Sequence, residues 1–328
     1  MITTTIGHYP RIGDRPEQQK LRRAIQAHQA QSLTDADLKA VQDEVTAEVI
    51  GEQTAAGLNQ VTDGQIRWDD PQTYLCLKLD GFERGGMIRY FDTNTYYRQP
   101  IAVRRVSWKA PILVDDFKFA KSKSTVPVRT VLTGAYTLAR LSADKYYNDV
   151  AAFTEDLAKA LNEEVRALVA AGARIIQIDE PALTLHPQDE KIVAKALVQT
   201  FDGIGSSSGV ERHAWLYNGP QAALVDKAAG WRVDAVGFDV ISDPKLLDRI
   251  AAIGFPKILG LGVVNARNTK LEGVLEIHRV LDRVSQTVGL ERVMITPSCG
   301  LEFLPRDRAQ RKIARLVEAA RSYRGGGR

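Results

Sequence analysis

Short apolar runs alternate with longer amphipathic stretches along the whole chain. Runs at 2–6, 60–64, 128–134, 174–179, 212–217, 235–240, 257–264 and 292–300 have the length and composition of buried strands. Amphipathic stretches at 17–29, 34–56, 190–200, 244–252, 271–287 and 306–323 read as helices. The clearest helix has Phe153, Leu157, Leu161, Val165 and Val169 at intervals of four, which makes one apolar stripe. Gly172 stands where that helix should end. The second helix opens with Ser32-Leu-Thr-Asp-Ala-Asp, whose hydroxyls and carboxylates can cap a first turn.

Eight strands, each with helical sequence after it, is the count of a (β/α)8 TIM barrel of the α/β class. An open doubly wound sheet is the alternative. It would often carry a glycine-rich nucleotide turn, and none is present: Gly260-Leu-Gly-Val-Val does not complete the pattern. The repeat breaks once, after the second strand. Alternation at 88–91 and 101–108 suggests a β-excursion over about 85–110, outside the main sheet. Its aromatic and basic residues (Tyr90, Tyr96, Arg98, Arg104, Trp108) suit an arm over a site. The chain of 328 residues is expected to form a single barrel domain.

Charge and cysteine usage narrow the class. A net charge of +4 is mild for this length and argues against a nucleic-acid partner. The basic tail 321–328 is glycine-rich and reads as a frayed end. Two cysteines, Cys76 and Cys299, do not make a disulfide framework, so a cytoplasmic location is expected. No signal-peptide pattern opens the chain, and no apolar run reaches the ~18 residues of a membrane span.

Candidate chemistry gathers at strand ends. In Arg174-Ile-Ile-Gln-Ile-Asp-Glu-Pro181, a buried strand runs straight into Asp179 and Glu180, and Pro181 stops it. Ligands of parallel α/β folds bind at the C-terminal ends of strands. A carboxylate pair there marks a site candidate; a solvated acidic loop is the plain alternative. Other strand ends deliver Gly7-His8, Asp63-Gly64-Gln65, Tyr217-Asn218, Asp239, Asn265-Ala266-Arg267 and Ser298-Cys299. His213, Trp215 and Tyr217 alternate and share one side of their strand. If that side faces inward, His213, Asp239 and Cys299 make a tetrahedral metal set with one open position. Each alone is more simply a core residue.

Thr3-Thr-Thr-Ile-Gly7, Leu132-Thr-Gly134, Ile176-Gln-Ile-Asp-Glu-Pro-Ala-Leu183 and Pro297-Ser-Cys-Gly300 resemble the catalytic barrel of cobalamin-independent methionine synthase, in order and across essentially the whole chain. The resemblance implies a (β/α)8 barrel that methylates a thiol, most simply homocysteine to give methionine. It implies small-molecule substrates and a methyl-folate or methyl-corrinoid donor, the latter carried by a corrinoid protein. Bound zinc would hold the sulfur as thiolate. Its ligands fall on His213, Asp239 in place of a Glu, and Cys299; Trp215 stands where a second Cys is expected. A shift of one residue instead puts Ala214 at the His position. The amino-acid-binding segment of the first strand becomes Ile6-Gly7-His8, with His8 in reach as a replacement ligand. Gln65 takes the place of a Glu that grips the amino group, and Arg267 that of a proton-donating His. Asp179, the family's ammonium anchor, is retained. Two other readings stand beside this one: a metal-free methyltransferase that takes an aromatic or anionic partner on Trp215 and Arg267, and a non-catalytic ligand-binding barrel.

Overall fold

The computed structural model describes residues 1–205 and 208–325. Its main sheet joins β1 (Ile2–Thr3), β4 (Arg129–Thr133), β6 (Ile175–Asp179), β7 (Glu211–Trp215), β8 (Ala235–Asp239), β9 (Ile258–Val264) and β10 (Val293–Pro297). All these pairings are parallel, in the spatial order β1-β10-β9-β8-β7-β6-β4. The gap between β1 and β4 is bridged by residues 59–61. Asn59 and Gln60 donate their amides to Thr3 O, Val61 N donates to Pro127 O at 3.1 Å, and Arg129 N to Val61 O at 2.8 Å. Strand two of the expected eight is thus reduced to a short stave, and the sheet curls into a barrel around it.

Helices cover the outside, and local sequence sets their ends. The helix α2 (Asp35–Ala56) starts where Thr34 Oγ1 accepts from Asp37 N and Asp37 answers to Thr34 N. It ends at Gly57, whose φ of 87° only glycine adopts readily. The helix α6 (Val150–Ala170) is capped by Asp149. Its buried stripe is Phe153, Leu157, Leu161, Val165 and then Leu168 rather than Val169. A true helix turns every 3.6 residues, so a strict interval of four drifts off the core by its fifth member. The short helices α4 (Val114–Lys123), α5 (Ala135–Leu141) and α8 (Val225–Ala229) carry too few turns to leave a readable stripe. The final helix α11 (Arg306–Ser322) matches the expected one; residues 326–328 of the predicted frayed tail lie outside the described residues.

The excursion is a hairpin of β2 (Asp80–Arg89) and β3 (Tyr96–Ser107), with β5 (Ala143–Asp144) beside β3. It begins five residues earlier than alternation predicted. The glycines Gly81, Gly85 and Gly86 interrupt the alternation of β2 and coincide with its register shifts. Its base is fixed to α6: the buried Glu164 accepts from Trp108 Nε1 at 2.8 Å, Ile112 N at 2.9 Å and Leu113 N at 2.7 Å. At its far end Tyr90 is buried, so the tip lies against the body of the protein. Among the described residues no helix is long and apolar enough to cross a membrane.

Candidate active site at the barrel mouth

The adjacent carboxylates of β6 have different roles. Glu180 turns to the N-terminus of α5, where its oxygens accept from Tyr136 N at 3.1 Å, Thr137 N at 2.8 Å and Thr137 Oγ1 at 2.7 Å. Gly134 makes room for it: a Cβ there would meet Glu180 Cδ at 2.2 Å. Glu180 therefore ties strand to helix, and is not a free ligand-binding group. Asp179 turns into the barrel. Its Oδ1 accepts from Gln177 Nε2 at 2.6 Å and its Oδ2 from Tyr217 OH at 3.1 Å. Burial pushes the Asp179 carboxyl up to about 7, against the pull of those two donors and of the Arg129 charge.

Around Asp179 lie polar groups from several strand ends. Gly7 packs on Gln65, where a Cβ would stand 2.9 Å from Gln65 Oε1, and Ile6 O accepts from Gln177 Nε2 at 2.9 Å. Gln65 holds φ at +51°. His8 meets Trp68 edge-on, with ring centroids 5.8 Å apart, and burial then Arg11 hold it down to about 3, so it is neutral. Glu302, three residues beyond Cys299, folds back over Gly300 beside His8. Burial pushes its carboxyl up to about 7. His8 Nε2, Gln65 Oε1, both amide atoms of Asn218 and Glu302 Oε2 are buried without a hydrogen-bond partner. His8 and Gln65 lie side by side without meeting hydrogen-bond geometry. Unpartnered buried polar atoms are costly, and a cluster of them at a barrel mouth is what a bound polar ligand would satisfy.

The hairpin tip roofs this mouth. Tyr90 stands near Tyr217, Glu302 and Asp179, and each raises its pKa after burial does, Tyr217 excepted. Arg267, on the loop after β9, reaches over to Asp92 of the tip at 2.9 Å. The Arg267 guanidinium, expected to be a proton donor, is engaged as a latch between loop and arm.

The metal set fails on height. His213 faces the interior, as its alternation with Trp215 predicted, but pairs in register with Ala235, four residues before Asp239. At ~3.3 Å per residue that is roughly 13 Å too low. Its Nε2 bonds Glu211 at 3.0 Å, and burial lowers its pKa to about 4. Between His213 and the mouth lies Trp215, fully buried, with its indole against Gly237 and Gly260: a Cβ on Gly237 would stand 1.9 Å from Trp215 Cε2. Arg129 covers the ring at 4.7 Å. Trp215 is therefore barrel core, not the exposed stacking face expected of a substrate contact. Asp239 is occupied as a turn cap, with Oδ1 accepting from Ile241 N and Ser242 N at 3.0 Å and Oδ2 from Ser242 Oγ. Cys299 is buried, its thiol pushed well up by burial and then by Glu302 and Asp239, and its S–H donates to Gly300 O at 3.5 Å. The residues present do not fit a zinc site: among the described residues no three of His, Cys, Asp and Glu stand together to hold a metal.

Sequence reasoning missed Glu302, Tyr90 and Arg129 as site components. Glu302 lies on a loop with no periodic signal. Tyr90 was visible only as part of an aromatic arm, and Arg129 opens a strand and reads as its solvated end.

A curled parallel barrel with a roofed, carboxylate-bearing mouth defines an α/β barrel enzyme acting on a small polar substrate. A family model described as "Cobalamin-independent synthase, Catalytic domain" matches residues 1–322. The methionine synthase of Saccharolobus solfataricus is 33% identical over 98% of this chain and 94% of its own. That of Sulfurisphaera tokodaii is 32% identical over 98% and 92%. In fold, a B12-independent methionine synthase from Shewanella sp. W3-18-1, solved in complex with selenomethionine, matches with a TM-score of 0.83 at 20% identity, covering 97% of this chain and 96% of that one. The chain belongs to the cobalamin-independent methionine synthase family, a family of methyltransferases.

Proposed function

We propose that the chain transfers a methyl group to the thiol of homocysteine, bound at the barrel mouth. The observation that carries this is Asp179, an interior carboxylate held by Gln177 and Tyr217 beside four residues with unpartnered polar atoms. An amino acid presents an ammonium and a carboxylate together. Asp179 takes the ammonium; Gln65 and Asn218 supply amides for the rest. His8, which stays neutral, can donate to a substrate carboxylate through Nε2 in one tautomer.

Thiolate is the nucleophile in thiol methylation. The family draws on zinc for that, but the described residues of this chain do not fit a zinc site. The group suited to take the proton is Glu302, a carboxylate poised near neutrality and close to the Tyr90–Tyr217–Cys299 cluster. The sulfur forms its bond to the methyl carbon as the donor's bond to that carbon breaks. The thiol proton passes to Glu302 and from there to the folate nitrogen, which leaves with the electron pair of the broken N–C bond. Methyl-folate is the donor in this reading, and a methyl-corrinoid carried by a protein is the alternative. Two free buried cysteines suit a cytoplasmic setting.

The test is methyl transfer to homocysteine from methyltetrahydrofolate and, separately, from methylcobalamin, each with and without chelator. Turnover with the folate that survives chelation supports the reading. Turnover only with methylcobalamin reassigns the donor, and none from either removes the proposal.

A further inference from the structure

Beneath Asp179, in the barrel interior, lies a buried cation that the proposed reaction does not use directly. Arg129 is 1% exposed and makes no ion pair within salt-bridge distance among the described residues. Its Nη1 donates to Gln177 Oε1 at 2.5 Å and its Nη2 to Gln60 Oε1 at 3.2 Å, and the guanidinium stacks over Trp215. Leaving a guanidinium unpaired in a protein interior is costly. Its compensation comes from two carboxylates it does not touch, Asp179 above and Glu211 below, which raise its pKa against burial. It stays protonated, at about 9.

Gln177 sits between cation and carboxylate. Arg129 can only donate, so the amide must turn Oε1 toward it. That leaves Nε2 facing the mouth, where it donates to Asp179 Oδ1 at 2.6 Å and to Ile6 O at 2.9 Å. The side-chain amide has no freedom to flip without facing donor to donor. We infer that Arg129 and Gln177 are positioning residues that favour the carboxylate form of Asp179 and keep it turned for a substrate ammonium. This rests on the reading of Asp179 as the ammonium anchor.

The relay works by hydrogen bond and by charge. The Arg129 field favours the carboxylate form of Asp179, and the Gln177 N–H stabilises it directly. Other groups facing Asp179 are Tyr217, which donates to it, the Glu180 carboxylate, which opposes its ionisation, and Tyr90 of the roof. None of these replaces a cation. Without Arg129 the amide is free to turn either way, and Asp179 holds its proton to higher pH.

The experiment is calorimetric binding of L-methionine, which shares the substrate's ammonium and carboxylate, from pH 5.5 to 8.5. Four proteins are compared: the native chain, Arg129→Lys, Arg129→Met and Gln177→Met, with Asp179→Asn as control. Native affinity should rise with pH and level off above a midpoint near that of Asp179, about 7. Arg129→Met and Gln177→Met should move the midpoint up by about one unit and weaken binding roughly fivefold at neutral pH, while Arg129→Lys should restore it in part. A merely structural role would lower affinity equally at every pH. If Arg129→Met does not fold, Gln177→Met decides alone. An unmoved midpoint in a folded variant overturns the relay. Native-like binding by Asp179→Asn, with no midpoint in the native chain, instead overturns the anchor reading beneath it.

Discussion

The two halves of the barrel interior, floor and mouth, meet on the inward face of β6 and do opposite things. The floor is cationic and aromatic: Arg129 stacks on Trp215, His213 leans on Glu211, and Met294 lies against the guanidinium. Single nitrogens of Arg129, His213 and Trp215 are unpartnered there, but each is enclosed by core side chains. The mouth is acidic, with Asp179 and Glu302 both pushed up to about 7, and its unpartnered atoms converge from separate loops. Trp215 is the boundary. Strand alternation identifies which residues face inward, but not how high each stands, and here height separates scaffold from chemistry.

Variants that break the boundary should have the largest effects. Trp215→Ala removes a fully buried indole over two glycines and should cost about 3–5 kcal/mol in stability. Thermal or urea unfolding measures it, and a loss under 1 kcal/mol would mean that the floor is not packed as described.

Asp179→Asn probes the mouth. It removes the ammonium's counter-charge and should lower kcat/KM by roughly 100-fold or more, mostly through KM, with the fold intact. His213→Gln is its counterpart on the floor. It should lower stability and leave kcat within a few-fold, since the imidazole is walled off from the mouth.

Glu302→Gln separates chemistry from stability. Methyl transfer should fall about 100-fold in kcat, the usual weight of a general base. Stability should move the other way. A carboxyl whose folded pKa is raised contributes stability at low pH and loses it as pH climbs from the ordinary carboxylate range to about 7. The variant should therefore match the native chain near pH 4 and exceed it above pH 7. The histidines act oppositely: His8 and His213 have lowered pKa values, so the stability they give is lost as pH falls from about 6.5 toward 3 to 4. Equal melting temperatures at both pH values would argue that Glu302 is solvated.

The smallest effect belongs to the roof. Arg267 and Asp92 are a largely exposed pair, so Asp92→Ala should leave stability nearly unchanged. Ligand exchange under the arm should quicken by a few-fold, seen in stopped-flow binding.

Much of this architecture was legible in advance. Seven of the eight predicted strands and every long helix lie within a few residues of their expected positions, because buried parallel strands and amphipathic helices write strong patterns. The second strand left only a stave, since closing the barrel needed just three residues of backbone pairing. Asp179 was found because Pro181 and a buried run framed it. The metal set was misjudged because one shared face was read as one shared level. Glu302 and Arg129 left no local trace: one acts from a loop, and the other through a long side chain reaching beneath its neighbours.

The most direct test is homocysteine binding by calorimetry, at pH 7.5, to folded Asp179→Asn and folded His213→Gln side by side. Loss in the first with retention in the second places the substrate at Asp179, above the level of His213. Retention in Asp179→Asn with loss in His213→Gln would contradict it and return the chemistry to the level of His213.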